Sequence, residues 1–337
     1  MIDKRSIILI FIAVIFLLSC KKQHVRDFTP NTNFEALWNI LDQKYCFFEE
    51  KNIDWQGVRN IYEAKLSGIQ SHVEMFDLFA QMLDTLQDGH VNLYSQFDVS
   101  RCRGWFENYP ANFDDRIIYS PRYLGSDYRV GGGFQYRTIA GGKVGYIRYA
   151  SFLSAVSVSS LYYIGEIFKE CSGIVVDIRN NGGGSLGYSE EFASIFMKEP
   201  TLTGYIRHKR GKGHTDFSEM RPIYTPKNAY IDWSDKRVVL LVNRRCYSAT
   251  NDFVCRVKPL PNVTVMGGIT GGGGGIPSSN ELPNGWLVRF SSVQILDKNR
   301  QHIEFGIEPE IEITLDSTDL KNGYDTLIEQ AITLLGG

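Results

Sequence analysis

The sequence predicts an α/β fold, with helices segregated into a small bundle ahead of the sheet in the α+β manner. Two apolar runs predict the sheet. Val238–Val242 carries no charge and Ile174–Ile178 carries only Asp177. Each run leads into a polar or glycine-rich loop and then an amphipathic helix, the order of a parallel sheet covered on both faces. Three amphipathic stretches before Leu86 predict the bundle.

The N-terminus reads as an address rather than a fold element. Lys4 and Arg5 precede an apolar stretch, Ile7 to Leu18, that is too short to span a bilayer. Leu17-Leu18-Ser19-Cys20 resembles a bacterial lipoprotein lipobox. That resemblance implies a signal peptide over 1–19, cleavage before Cys20, lipidation of that cysteine and a tether over 20–31. No acidic residue follows Cys20 directly, so the expected location is the cell envelope, lipid-anchored at the outer membrane, on either face.

The bundle follows. Thr32-x-x-Glu35 reads as a capping box ahead of Phe34, Leu37, Leu41 and Tyr45. Asp54 can cap a helix carrying Trp55, Val58, Tyr62 and Leu66. Ser71-x-x-Glu74 is a second capping box, with Phe76, Phe79, Leu83 and Leu86 on one face. Gln87-Asp88-Gly89-His90 is a turn before a strand through Val91, Leu93 and Tyr94. Read alone, His90 is a polar surface residue. Residues 95–142 read as short strands and loops, with Asp114-Asp115 a solvated turn.

From Lys143 the α/β pattern begins. Val144 to Phe152 reads as a strand, Val156 to Phe168 as a helix, and Ile174–Ile178 as a buried strand entering Arg179-Asn180-Asn181-Gly182-Gly183-Gly184. Glycine N–H groups there can converge on an oxyanion, although a flexible connection is the simpler reading. The run Val238–Val242 ends at Asn243, and an apolar helix face starts after Ser248. That serine therefore sits where a buried strand turns into a helix, with free N–H groups beside it. An ordinary N-cap is the simpler reading of this stretch alone. Five glycines, Gly271 to Gly275, follow. Asn284-Gly285 marks a hairpin turn before Trp286 to Ser291, and a terminal helix runs from Tyr324 to Leu335.

Composition narrows the function. The 337 residues allow one large domain or two modest ones. A net charge of −2 with scattered Lys and Arg points away from nucleic acid. The six histidines are scattered without HExxH, so no metal is expected, and neither GxGxxG nor Gly-Lys-Ser/Thr supplies a cofactor loop. The cysteines show no metal-site spacing and assign no disulfide.

With these residues laid out, the chain resembles the S41 serine peptidases, the family of C-terminal processing peptidases, tricorn core proteases and retinoid-binding modules. The motifs VVDIRNNGGG, VNRRCYSATND, TGGGGG with ELPNGW, and IEFGIEPEIEI carry it, in that order, within Phe34 to Leu335. The resemblance implies a ClpP/crotonase-like spiral catalytic domain over 95–337, preceded by a helical segment over 32–94 that carries His90. It implies Ser248 as nucleophile and an oxyanion hole from Gly183 or Gly184 with Ala249. The lysine of the processing branch would fall near Gly273 and is missing. His90 in Asp-Gly-His and Glu304 before Gly-x-x-Pro-Glu fit the tricorn-type branch, as base and orienting carboxylate. Between Val91 and Lys143 there is too little chain for a PDZ module of roughly 80–100 residues. The expected function is an envelope serine endopeptidase acting on polypeptides without a cofactor. The alternatives are a non-catalytic module binding a peptide or apolar ligand on the same fold, and another acyl-transfer enzyme such as an esterase.

Overall fold

The computed structural model describes residues 26–337. The expected signal peptide, Cys20 and the first half of the tether lie outside the described residues. Pro30 opens α1 (Pro30–Lys44), where its fixed φ suits a first helical position. The expected capping box at Thr32 is not the helix start: Thr29 stands at the N-cap and Thr32 lies inside the first turn. No side chain caps the first N–H groups; the entering chain is instead tied down by Asn33, whose buried amide donates to the carbonyls of Asp27 at 2.6 Å and Thr29 at 2.9 Å. The next two caps are as read: Asp54 accepts from Gly57 N–H at the start of α2 (Trp55–Glu63). Ser71 accepts from Glu74 N–H at the start of α3 (His72–Asp84).

A short strand β1 (Asn92–Tyr94) follows, then two single-turn helices, α4 (Gly104–Glu107) and α5 (Asp115–Ile118). Asp114 caps the latter, where the sequence had suggested only a solvated turn. Strands β2 (Arg129–Gly131), β3 (Phe134–Ile139) and β4 (Val144–Tyr149) precede α6 (Val158–Ile167). Then come β5 (Gly173–Asp177), α7 (Leu186–Ser194), β6 (Thr201–His208) and β7 (Arg221–Thr225). Next are β8 (Val238–Val242), α8 (Ala249–Val257) and β9 (Val263–Gly267). The chain closes with β10 (Gly275–Glu281), β11 (Leu287–Asp297), β12 (Ile311–Glu312), α9 (Ser317–Lys321) and α10 (Thr326–Leu334).

These strands make two sheets. The larger has the order β12-β9-β8-β5-β4-β3-β2, parallel from β12 to β4 and antiparallel beyond. Its central strands are buried on both faces. Ile174, Val176, Val238, Leu240 and Val242 pack with Phe192, Phe253 and Val257 on one side. Val175, Val239 and Leu241 pack with Leu327, Ile328 and Ala331 on the other. This is why the runs read as continuously apolar rather than alternating. The smaller sheet is antiparallel, with β11 pairing β1, β6 and β10. The helical bundle packs on this second sheet: Phe34, Leu41, Phe79 and Met82 share a core with Trp286, Val288 and Phe290.

A buried ion network ties the large sheet to the C-terminal helix just before the glycine loop. Arg179, wholly inaccessible, bonds Asp177 at 2.6 Å, Asp325 at 2.9 Å and the carbonyl of Asn112 at 3.0 Å. Burial opposes ionisation of Asp177, but the guanidinium outweighs it and holds that carboxyl below its usual range. Truncating one member strands buried charge on the others, so Arg179→Ala is expected to lower unfolding free energy by about 3–5 kcal/mol, read from urea denaturation.

Candidate active site

Ser248 occupies the N-cap position of α8 with φ 58° and ψ −121°. Its side chain caps nothing, which corrects the simpler reading of this stretch. Its Oγ lies 3.0 Å from Nε2 of His90, 158 residues earlier. A non-glycine residue held at positive φ stores about 1–3 kcal/mol of strain, and the surroundings enforce it here. Ser248 N–H donates to Gly272 O at 2.9 Å, and Gly271 N–H donates to Cys246 O at 2.8 Å, so the glycine run clamps the turn. On the opposite side Gly183 (φ 98°) leaves no room for a side chain: a Cβ there would stand 2.6 Å from Tyr247 O and 2.9 Å from Ala249 N.

The strand order brings the two loops together. β5 and β8 are parallel neighbours, paired from Ile174–Val238 to Asp177–Leu241. The glycine loop and Ser248 therefore emerge at the same edge. Gly183 N–H is already donated to Asn181 Oδ1 at 3.0 Å. Gly184 and Ala249 have no backbone or side-chain acceptor among the described residues. Of the expected oxyanion donors, those two amides remain unengaged.

His90 is buried rather than exposed, because the second sheet covers it: β1 begins two residues later, and Asn92 pairs with Arg289 of β11. Its ring packs 4.9 Å from that of Tyr247, which stacks in turn on Trp105. Burial, helped by the charges of Arg289 and Lys51 and opposed by Asp88, pulls its pKa down to about 4. At neutral pH the imidazole is thus uncharged. With Nε2 accepting from the Ser248 hydroxyl, the ring proton sits on Nδ1.

Asp88 fixes this histidine through the main chain. Its Oδ1 accepts from His90 N–H at 2.7 Å and Tyr247 OH at 3.2 Å, and its Oδ2 from Tyr45 OH at 3.0 Å and Ser291 OH at 3.1 Å. Glu304 is placed differently from the expected orienting role. Its Oε1 pairs with Lys51 Nζ at 2.9 Å. No direct hydrogen bond joins Glu304 to His90, and both His90 Nδ1 and Glu304 Oε2 are buried without a partner. Burial, then the charge of Asp88, pushes the Glu304 pKa up to about 8 against the opposing pull of Lys51.

Two cavities flank the dyad. One of about 250 Å³ is lined by Ser248, Gly184, Leu186, Arg289, Ile295 and Ile303. A larger one of about 400 Å³ holds Lys51, Trp105, Arg244, Tyr247 and Glu304 but does not reach Ser248. The presence of Ser248, rather than size, makes the first the candidate substrate cleft. Among the described residues no group of three His, Cys, Asp or Glu could hold a metal ion, no helix is long and apolar enough to cross a membrane, and the five cysteines are unpaired and buried.

The sequence profile of peptidase family S41 matches residues 143–313, half of the chain, and that of the tricorn protease C1 domain matches 29–84. The chain belongs to peptidase family S41. A crystal structure of a protein named as a candidate peptidase, from Parabacteroides merdae ATCC 43184, is 47% identical, covers 92% of this chain and 97% of its own, and superposes with a TM-score of 0.88. Mature CPAF, 14% identical, shares the fold with a TM-score of 0.65 over 92% of this chain and 97% of its own. A protein named as a CtpA-like serine protease, from Staphylococcus aureus (strain COL), is 27% identical over 174 residues, 51% of this chain. The match spans about a third, 34%, of that relative's length. The α/β spiral catalytic fold of S41 is thereby the fold of this chain.

In this S41 member the position expected for a lysine base has no space for one. A Cβ on Gly273 would stand 2.5 Å from the Tyr247 ring, on a backbone at φ 75°. Lys51 is buried nearby, yet it donates to the carbonyls of Leu86 and Gln87 besides Glu304. Desolvation disfavours its charge, but Asp88 and Glu304 outweigh that and raise its pKa. Lys51 and Arg289 were not singled out from sequence, and Tyr45 was read only as part of an apolar helix face. Lys51 sits in a charged loop, Glu49-Glu50-Lys51-Asn52, that gives no sign of burial. Asp88 was legible only as part of a turn.

Glu304 and His90 give opposite pH signatures. Between its ordinary 4.5 and about 8, the folded chain keeps a proton on Glu304 that the unfolded chain releases. That contribution is present below pH 4.5 and is lost as pH rises through 8. The His90 contribution is present above its ordinary 6.5 and is lost as pH falls through about 4. Glu304→Gln should therefore flatten the decline in unfolding free energy between pH 5 and 8, and His90→Gln should flatten the loss below pH 6, both measured by urea denaturation.

Proposed function

We propose that this chain is a serine endopeptidase that cleaves polypeptides through Ser248, His90 and Glu304 by way of an acyl-enzyme. The observation that carries the reading is the 3.0 Å contact between a neutral, buried imidazole and the hydroxyl of a strained serine at a helix N-terminus. A general base must reach the proton it takes, and this one does. His90 Nε2 accepts the Ser248 proton as Oγ attacks the carbonyl carbon of the scissile bond. The proton then passes to the leaving amine, and water repeats the cycle on the acyl-enzyme. Gly184 and Ala249 N–H groups, reinforced by the N-terminal end of α8, stabilise the oxyanion.

Glu304 supports the step electrostatically. A buried Nδ1–H and a buried carboxylate oxygen that both lack a partner are complementary groups. With Asp88 ionised and Lys51 charged, an ionised Glu304 leaves the buried group with one excess negative charge. The imidazolium formed at His90 balances it.

The lipobox-like Leu17-Leu18-Ser19-Cys20 supports a lipid-anchored protein of the cell envelope, with residues 32–94 as the helical segment and 95–337 as the catalytic domain. Labelling with a tritiated fatty acid should mark the wild type and fail in Cys20→Ala.

Cleavage of an unfolded protein, read by mass spectrometry, tests the activity. Ser248→Ala and His90→Ala should each lower turnover by about 10⁴-fold or more, and Glu304→Gln by less. Absence of cuts by any form, with tight peptide binding retained, would instead favour a binding module. Activity on small esters alone would favour an esterase. The expected kcat/KM profile rises through about pH 8 as Glu304 ionises. Lys51→Met removes the cation that favours that ionisation and should move the rise to higher pH. A profile already flat above pH 6 would remove Glu304 ionisation from the mechanism.

A further inference from the structure

Arg289 is the one residue of the Ser248 cavity whose charge is left unanswered. It lies on β11, half-buried, and its Nη1 donates to Asn92 Oδ1 at 3.2 Å and, at the 3.5 Å limit, to the carbonyl of His90. No carboxylate lies within ion-pair distance of it among the described residues, and its Nε and Nη2 have no acceptor there. The other charged residue of the cavity, Asp252, is already neutralised: its Oδ2 takes Arg256 Nε at 2.8 Å and Ser189 OH at 2.5 Å. The remaining walls include Leu186, Ile276, Ile295 and Ile303. The cleft beside the nucleophile is therefore apolar with a single free positive charge.

A partly desolvated guanidinium without a counter-charge is unfavourable, and its planar fork matches a carboxylate. Ligand binding can supply what the fold does not. We propose that Arg289 is a specificity residue of the Ser248 site, selecting polypeptides that carry a carboxylate beside the scissile bond. This rests on the peptidase reading and names its substrate class. The carboxylate can be an Asp or Glu side chain or the free C-terminus of a chain cut close to its end.

The selection also bears on the chemistry. Arg289 donates toward the carbonyl of the residue that becomes an imidazolium, and its charge opposes that protonation, as does Lys51, while Asp88 favours it. A substrate carboxylate seated on Arg289 offsets the opposition as the Ser248 proton moves. An acid substrate should therefore gain in kcat as well as in KM.

Four peptides of one apolar sequence test this with the full-length chain in detergent: Glu or Gln next to the scissile bond, each with a free or an amidated C-terminus. Wild type should favour one carboxylate source over its neutral counterpart by about tenfold or more in kcat/KM, and the arms identify which. Arg289→Met should abolish that ratio, and Arg289→Lys should keep part of it. Binding of the same peptides to Ser248→Ala, by fluorescence anisotropy, reads the preference without turnover. Equal handling of all four peptides by wild type, or an equal loss on all four in Arg289→Met, would overturn the proposal. Cleavage that persists in Ser248→Ala would instead overturn Ser248 as the nucleophile, while the binding preference would still judge Arg289.

Discussion

The strained turn at Ser248 is the constraint on which the rest of the site depends. A serine at φ 58° cannot hold that backbone by its own preference. It is held because the chain on both sides comes unusually close. Gly183 presses from the β5 loop against Tyr247 O and Ala249 N, and the glycine run grips Ser248 N–H and Cys246 O from the other side. Each close approach excludes a side chain. The glycines that read from sequence as flexible connection thus do the opposite work. They let three segments of backbone pack closely enough to fix one hydroxyl at the sheet edge, and they leave Gly184 and Ala249 N–H groups without acceptors.

The second determinant is charge held out of water. Asp88, Glu304 and His90 are buried, the Lys51 side chain is nearly so, and no two of them can be considered alone. Asp88 accepts from four donors, which makes it a fixed anion that positions the His90 backbone. Glu304 has one ion pair and one empty oxygen, and it resists ionisation in the presence of that anion. Two carboxylates in similar burial therefore take different roles: the satisfied one is structural and the unsatisfied one is responsive. Lys51 stands between them. Its three acceptors hold it charged, which suits a counter-ion and not a proton acceptor.

Much of the fold was legible because its determinants are local. The runs Ile174–Ile178 and Val238–Val242 read as strands buried on both faces, and both faces are covered. Asp54 and Ser71 read as caps and are caps. The start of α1 was misread because two signals compete there. Thr32-x-x-Glu35 has the spacing of a capping box, but Pro30 fixes φ one turn earlier and Asn33 satisfies the entering backbone. In the site, Ser248 taken alone looked like a cap and His90 like surface. Their partnership spans 158 residues, and no local pattern encodes it. It was expected only from the family resemblance, through the Asp-Gly-His segment at His90. Lys51 and Arg289 remained hidden, since burial and missing partners are properties of the assembled cleft.

That separation in sequence has a physical consequence. Ser248 stands on the large parallel sheet, and His90 leads into β1 of the smaller antiparallel one. Asp88 is bonded from both sides of the divide, by Tyr45 of the helical segment, Ser291 of β11 and Tyr247 beside the serine. The 3.0 Å contact between His90 and Ser248 therefore measures how the two sheets dock. The bundle does not touch Ser248, yet its core with Trp286 and Phe290 sets where β11 lies, and β11 sets where β1 and Arg289 lie. A core substitution in the bundle can shift base and guanidinium together while leaving the Ser248 turn intact. The helical bundle, through its core with the second sheet, is thus part of what sets the His90–Ser248 geometry, not an appendage to it.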